Sequence, residues 1–99
     1  MGKIEKTLDR ILRGSSDANI SFQELRKLLL QLGFSERIRG SHYIYAKTDI
    51  TEIVNLQPIG NKAKPYQVKQ VRNIIITYGL AGVQQDEGKE EAQDPNAEE

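Results

Sequence analysis

Cysteine is missing from this chain of 99 residues, and so is tryptophan. The absence of cysteine excludes a disulfide framework, a thiolate zinc site and a thiol nucleophile. Runs of aliphatic residues stop at three, in Leu28-Leu29-Leu30 and Ile74-Ile75-Ile76. Such runs are far too short for a membrane span or a signal-peptide core, so a cytoplasmic protein with no membrane partner is expected. Histidine occurs once. With no second histidine and no carboxylate cluster at ligand spacing, neither a metal nor another cofactor is expected. A Walker-type phosphate loop and a dinucleotide fingerprint are also lacking.

Net charge is lacking too, but only as an average. Residues 1–82 hold thirteen basic and seven acidic side chains, a balance of +6. Residues 83–99 hold one basic and seven acidic side chains, a balance of −6. The sequence therefore reads as one basic domain of ordinary size followed by a disordered acidic tail. A basic domain suits a polyanionic partner, although a solvated surface would give the same count. The tail is expected to screen that basic surface or to aid solubility.

Ile4, Leu8, Ile11 and Leu12 recur at helical spacing and predict an amphipathic first helix, broken at Gly14-Ser15-Ser16-Asp17. A second helix opens on Ser21 as N-cap, with Glu24 as capping-box partner and Ile20 placed to staple against Leu25. Phe22, Leu25, Leu28, Leu29 and Leu32 form its apolar stripe, and Gly33 ends it. From Phe34 to Leu56, short runs rich in β-branched and aromatic residues predict three antiparallel strands, the last ending at Pro58, Gly60 and Asn61. Pro65 suits the first turn of a final helix in which Val68, Val71, Ile75 and Tyr78 share one face and which stops at Gly79. The order α-α-β-β-β-α predicts an α+β domain with its helices on one face of the sheet.

The single histidine, His42, lies in Arg39-Gly40-Ser41-His42-Tyr43-Ile44-Tyr45. Imidazole is the one side chain whose ordinary pKa allows proton transfer in both directions near neutrality. Gly40 and Ser41 put it at the mouth of a hairpin. Alternation puts it on the face of Ile44, so either that face is exposed or a bulge re-aims the ring. Arg37, Arg39 and Lys47 are expected to surround it with positive charge, and Tyr43 and Tyr45 offer flat faces for stacking bases. The plainer alternative is an exposed turn residue beside ordinary sheet-packing tyrosines. A second basic stretch, Asn61-Lys62-Ala63-Lys64-Pro65-Tyr66-Gln67, runs into the last helix, where Lys62 and Lys64 would suit a phosphate, although taken alone it reads rather as a polar loop with solvated lysines. Lys69 and Arg72 would extend this basic strip.

Leu25 to Phe34, the Arg39-to-Tyr45 motif, Asn55-Leu56-Gln57-Pro58 and Lys62-Ala63-Lys64-Pro65-Tyr66-Gln67-Val68 closing on Ile75 to Leu80 together resemble the HicA (YcfA-like) family. Its members are mRNA interferase toxins of bacterial type II toxin–antitoxin systems. The resemblance covers residues 20–80, with the first helix similar to an N-terminal extension of some members. It implies a fold similar to a double-stranded-RNA-binding domain, with an α-β-β-β-α core and one extra N-terminal helix. It implies metal-independent cleavage of mRNA with His42 of the Gly-Ser-His motif as the catalytic group. RNA contacts are then expected from Arg37, Arg39, Ser41, Tyr43, Tyr45, Lys47, Lys62 and Lys64. A HicB-like antitoxin is the implied protein partner, and the free toxin is expected to be monomeric. One departure stands at Gln57, where shorter members often carry a histidine. A different class of function, an RNA-binding module that does not cut, would keep the same basic strip and tyrosines.

Overall fold

The computed structural model describes residues 3–81, so the expected acidic tail at 83–99 lies outside the described residues. Three helices, α1 (Lys3–Arg13), α2 (Phe22–Gln31) and α3 (Pro65–Thr77), accompany the strands β1 (Ser35–Arg39), β2 (His42–Lys47) and β3 (Ile50–Leu56). A 3₁₀ turn at Asp17–Asn19 links the first two helices. A short hairpin, β4 (Pro58–Ile59) and β5 (Lys62–Ala63), lies between β3 and α3. The chain is thus α+β, with a three-stranded antiparallel sheet in the order β1-β2-β3. Among the described residues no helix is long and apolar enough to cross a membrane.

The helix signals in the sequence act as written. Ser21 Oγ accepts from the Glu24 amide at 3.3 Å, one arm of the capping box. The Glu24 carboxylate also accepts a hydrogen bond from Thr7 Oγ1, which ties α2 to α1. At the other end the Phe34 amide donates to Leu29 O and the Gly33 amide to Leu30 O. This paired closure needs a left-handed residue, and Gly33 supplies it at φ +102°. Phe34 then turns back into the core beside α2.

One core holds the fold together. Ile11 of α1, Leu25, Leu28 and Leu29 of α2, and Val68, Val71 and Ile75 of α3 meet Tyr45, Val54 and Leu56 from the inner face of the sheet. Each fully buried aliphatic side chain contributes about 2 kcal/mol relative to exposure. Tyr78 departs from the expected helix stripe: it lies outside the core, and its hydroxyl donates to Glu52 Oε1 at 2.6 Å. Ile74 takes a core position instead.

Two other elements were not expected from the sequence. Pro58 to Ala63 forms the β4–β5 hairpin rather than a simple strand ending, with Pro58 opposite Ala63 and Ile59 opposite Lys62. Gly60-Asn61 is the two-residue turn that permits it. Ser21 bridges to Lys62, so the hairpin closes against the start of α2. Arg72 is also not a free strip residue. Its guanidinium donates to Asp17 Oδ1 at 2.9 Å, to Asp17 Oδ2 at 3.1 Å and to the Ile11 carbonyl at 3.2 Å.

Candidate functional site: an imidazole on the open face of the sheet

Strand register decides which side chains reach the site. Arg39 pairs with His42, Arg37 with Ile44, and Ile44 with Asn55 on the far side. Residues directly opposite share a face, and alternate residues change face. Arg37, Arg39, His42, Ile44, Ile53 and Asn55 therefore occupy one face, opposite the face of Tyr45, Val54 and Leu56 that meets the helices. The first face is open: His42, Arg37, Arg39 and Asn55 are exposed, and Ile53 is 62% exposed. His42 reaches it by plain alternation, with no bulge at the hairpin.

The hairpin turn sets the position of the ring. Gly40-Ser41 joins β1 to β2 in two residues, with Gly40 at φ +60°. A side chain there would strain the backbone, because a two-residue hairpin requires a positive φ at its first central position in the II′ form. His42 is the first residue after this turn, at the sheet's rim beside Arg39.

Polar neighbours bracket the imidazole on both sides. Its Nδ1 lies 3.2 Å from Asn55 Oδ1, and its Nε2 lies 3.4 Å from Gln57 Nε2. Lys64 Nζ donates to Gln57 Oε1 at 3.2 Å, so an ammonium stands one amide away from the ring. Behind this row sits Gln67, only 4% exposed on the first turn of α3. Its side-chain amide donates to the Asn55 carbonyl at 3.1 Å and accepts from the Gln57 amide at 3.0 Å. Gln67 thus fixes the strand end that carries both neighbours of His42. Period-two alternation from buried Val54 and Leu56 was the sequence signal that Asn55 and Gln57 share the histidine's face. Gln67 gave no such signal, because a glutamine in a polar helix start looks like a surface residue.

The expected RNA-contacting residues divide. Arg39, Ser41 and Lys64 lie around His42, and Arg37 lies farther along the same face. Lys47 does not join them: it ends the strand that His42 begins, about 16 Å away at the usual strand rise, and it pairs with Asp49 at 3.1 Å. Lys62 reaches toward the 3₁₀ turn, where its Nζ lies 3.4 Å from Asn19 Oδ1.

The stacking role expected of Tyr45 is corrected, since it is fully buried and its hydroxyl donates to Glu36 Oε2 at 2.6 Å. Burial first, and the Glu36 acceptor second, push its phenol well above the usual tyrosine range. A phenol so held cannot act as a second acid or base near neutrality. Tyr43 is half-buried on the inner face, edge-on to the Phe22 ring at 4.8 Å and capped by the Arg26 guanidinium at 4.8 Å. Neither ring is offered to a base.

Among the described residues no group of three or more histidine, cysteine, aspartate or glutamate side chains could hold a metal ion. A surface groove between β3 and α3, lined by Glu52, Tyr66, Lys69 and Asn73 among others, does not include His42. The site is an open sheet face bearing one titratable ring and two guanidinium groups, with an ammonium at its rim. The chain matches no family model, no curated protein and no solved structure.

Proposed function

We propose that this protein is a metal-independent endoribonuclease, a HicA-like mRNA interferase toxin, with His42 as its acid–base group and a HicB-like antitoxin as its protein partner. The observation that carries the reading is the exposed imidazole of His42, opposite Arg39 on an uncovered sheet face and flanked by Asn55 and Gln57. In this reading His42 Nε2 takes the proton of an RNA 2′-hydroxyl as the 2′-oxygen attacks the adjacent phosphorus. The bond from phosphorus to the 5′-oxygen breaks, leaving a 2′,3′-cyclic phosphate and a 5′-hydroxyl whose proton comes from water. Arg39 faces the charge that develops on the phosphate oxygens. Proton transfer of this kind is worth about 10²–10⁴-fold in rate.

The test is cleavage of RNA by the purified full chain and its His42→Ala variant. Loss of at least about 10²-fold is expected, with products ending in cyclic phosphate. DNA of the same sequence should be bound but left intact, because it lacks the 2′-hydroxyl. Cleavage by His42→Ala at the wild-type rate overturns the assignment. A non-cleaving RNA-binding module is the less supported alternative, since both tyrosines that would stack bases are engaged beneath the sheet.

A further inference from the structure

We infer that Gln57, oriented by Lys64, is a positioning residue that selects the tautomer of His42, keeping the proton on Nδ1 and leaving Nε2 bare. The inference rests on the proposed ribonuclease reading for its catalytic consequence, but not for its structural content.

Lys64, Gln57, His42 and Asn55 form one line of hydrogen bonds. An ammonium has three donors and no acceptor. Lys64 Nζ, 3.2 Å from Gln57 Oε1, therefore requires the oxygen of that amide to face it. The amide NH₂ is then turned toward His42, where Gln57 Nε2 lies 3.4 Å from the ring Nε2. Two N–H groups cannot satisfy each other, so in the neutral ring Nε2 must present its lone pair. The ring proton is left to Nδ1, and Asn55 Oδ1 lies 3.2 Å away to accept it. Which nitrogen of a histidine carries the proton is set by the hydrogen bond made at the other. Here both nitrogens are addressed and both neighbours give the same answer.

Placement on the backbone makes this a fixed device. Asn55 and Gln57 are two residues apart on one strand face, about 7 Å at the usual rise, a span that an imidazole fills. The buried Gln67 amide holds the main chain at both positions, with bonds to the Asn55 carbonyl and the Gln57 amide. A 3.4 Å contact at Nε2 is long for a hydrogen bond. An approaching hydroxyl can replace it, and it then meets a lone pair ready to take its proton.

Because His42 is the only histidine, its ring nitrogens can be observed without ambiguity. The experiment is long-range ¹H–¹⁵N correlation of the ¹⁵N-histidine-labelled full chain, at a pH where the ring is neutral. Wild type should show a protonated-type Nδ1 and a bare-type Nε2. Gln57→Glu, whose ionised carboxylate only accepts, should exchange the two signals. Lys64→Met, which frees the Gln57 amide to turn over, should move both toward the averaged positions. A wild-type spectrum dominated by Nε2–H, or variants that leave the tautomer unchanged, overturns the inference. The wild-type spectrum decides alone should a variant fail to fold. If wild type cleaves RNA, Gln57→Glu should lower kcat at least tenfold with little change in KM. If it cleaves none, the ribonuclease reading fails while the nitrogen signals still decide the tautomer.

Discussion

Tyr45 and Glu36 meet beneath the sheet, the phenol of one donating to the carboxylate of the other at 2.6 Å. Arg26 donates to both oxygens of the same carboxylate, at 2.9 and 3.0 Å. That guanidinium, more than the tyrosine, holds the Glu36 carboxyl below its ordinary range. A depressed native carboxyl stabilises the fold fully above the unfolded-state value, and the contribution is lost as pH falls through the native one. Glu36→Gln should therefore cost about 2 kcal/mol at pH 7. The gap from wild type should narrow below pH ~4. Urea midpoints at pH 7 and pH 3 measure it, and an equal gap at both would contradict the pairing.

Arg72 is expected to matter for stability rather than for binding. It joins α3 to the Ile11 carbonyl and to Asp17, and its side chain is only 15% exposed. Arg72→Ala leaves a half-buried Asp17 without its cation, at a cost of about 3 kcal/mol. Chemical denaturation should show the loss, and RNA affinity of the folded fraction should stay within twofold of wild type.

The two ends of β2 should behave differently toward RNA. Arg39→Ala removes a cation opposite His42. It should weaken binding at low salt and flatten the dependence on log salt by about one unit. Lys47→Ala removes a cation already paired with Asp49 at the far end of the strand, and affinity should barely change. Fluorescence anisotropy across a salt series separates the two outcomes, and equal losses would remove the special place given to the His42 end.

Residues 83–99 carry the acidic excess. If they screen the basic domain, deleting them tightens RNA binding at low salt and leaves it unchanged at high salt, where charges beyond a Debye length no longer interact. Unchanged affinity at both would assign those carboxylates to solubility instead.

Local signals in the sequence were enough for much of this fold. Ser21, Glu24 and Gly33 bounded α2, and Pro65 opened α3, because caps and breakers act over one helical turn. Alternation along β2 puts His42 and Ile44 on one face, yet it does not say which face the helices cover. What could not be read were contacts set by packing. Tyr45 and Tyr43 look alike in sequence, and only the approach of α2 buries one ring and covers the other. Tyr78 falls on the helical stripe by periodicity, yet it reaches out to Glu52 once α3 ends. His42 was visible from its residue type and turn, whereas its support comes from Gln57 at the end of β3 and from Lys64 and Gln67 at the start of α3, brought together only by the fold. The β4–β5 hairpin has a signal in Gly60-Asn61, but the same two residues after Pro58 equally suit a plain ending of β3.

The bonds from Gln67 to the Asn55 carbonyl and the Gln57 amide also bear on self-association. A free edge strand offers its unpaired amides and carbonyls to any passing chain, including another molecule of the same protein. At the end of β3 those groups are already taken by a side chain that imitates one peptide unit of a neighbouring strand. The other edge is β1, where an antiparallel pairing of two copies centred on Arg37 would set one guanidinium against another. One edge is capped at its end and the other is charged, and both features disfavour growth of this three-stranded sheet.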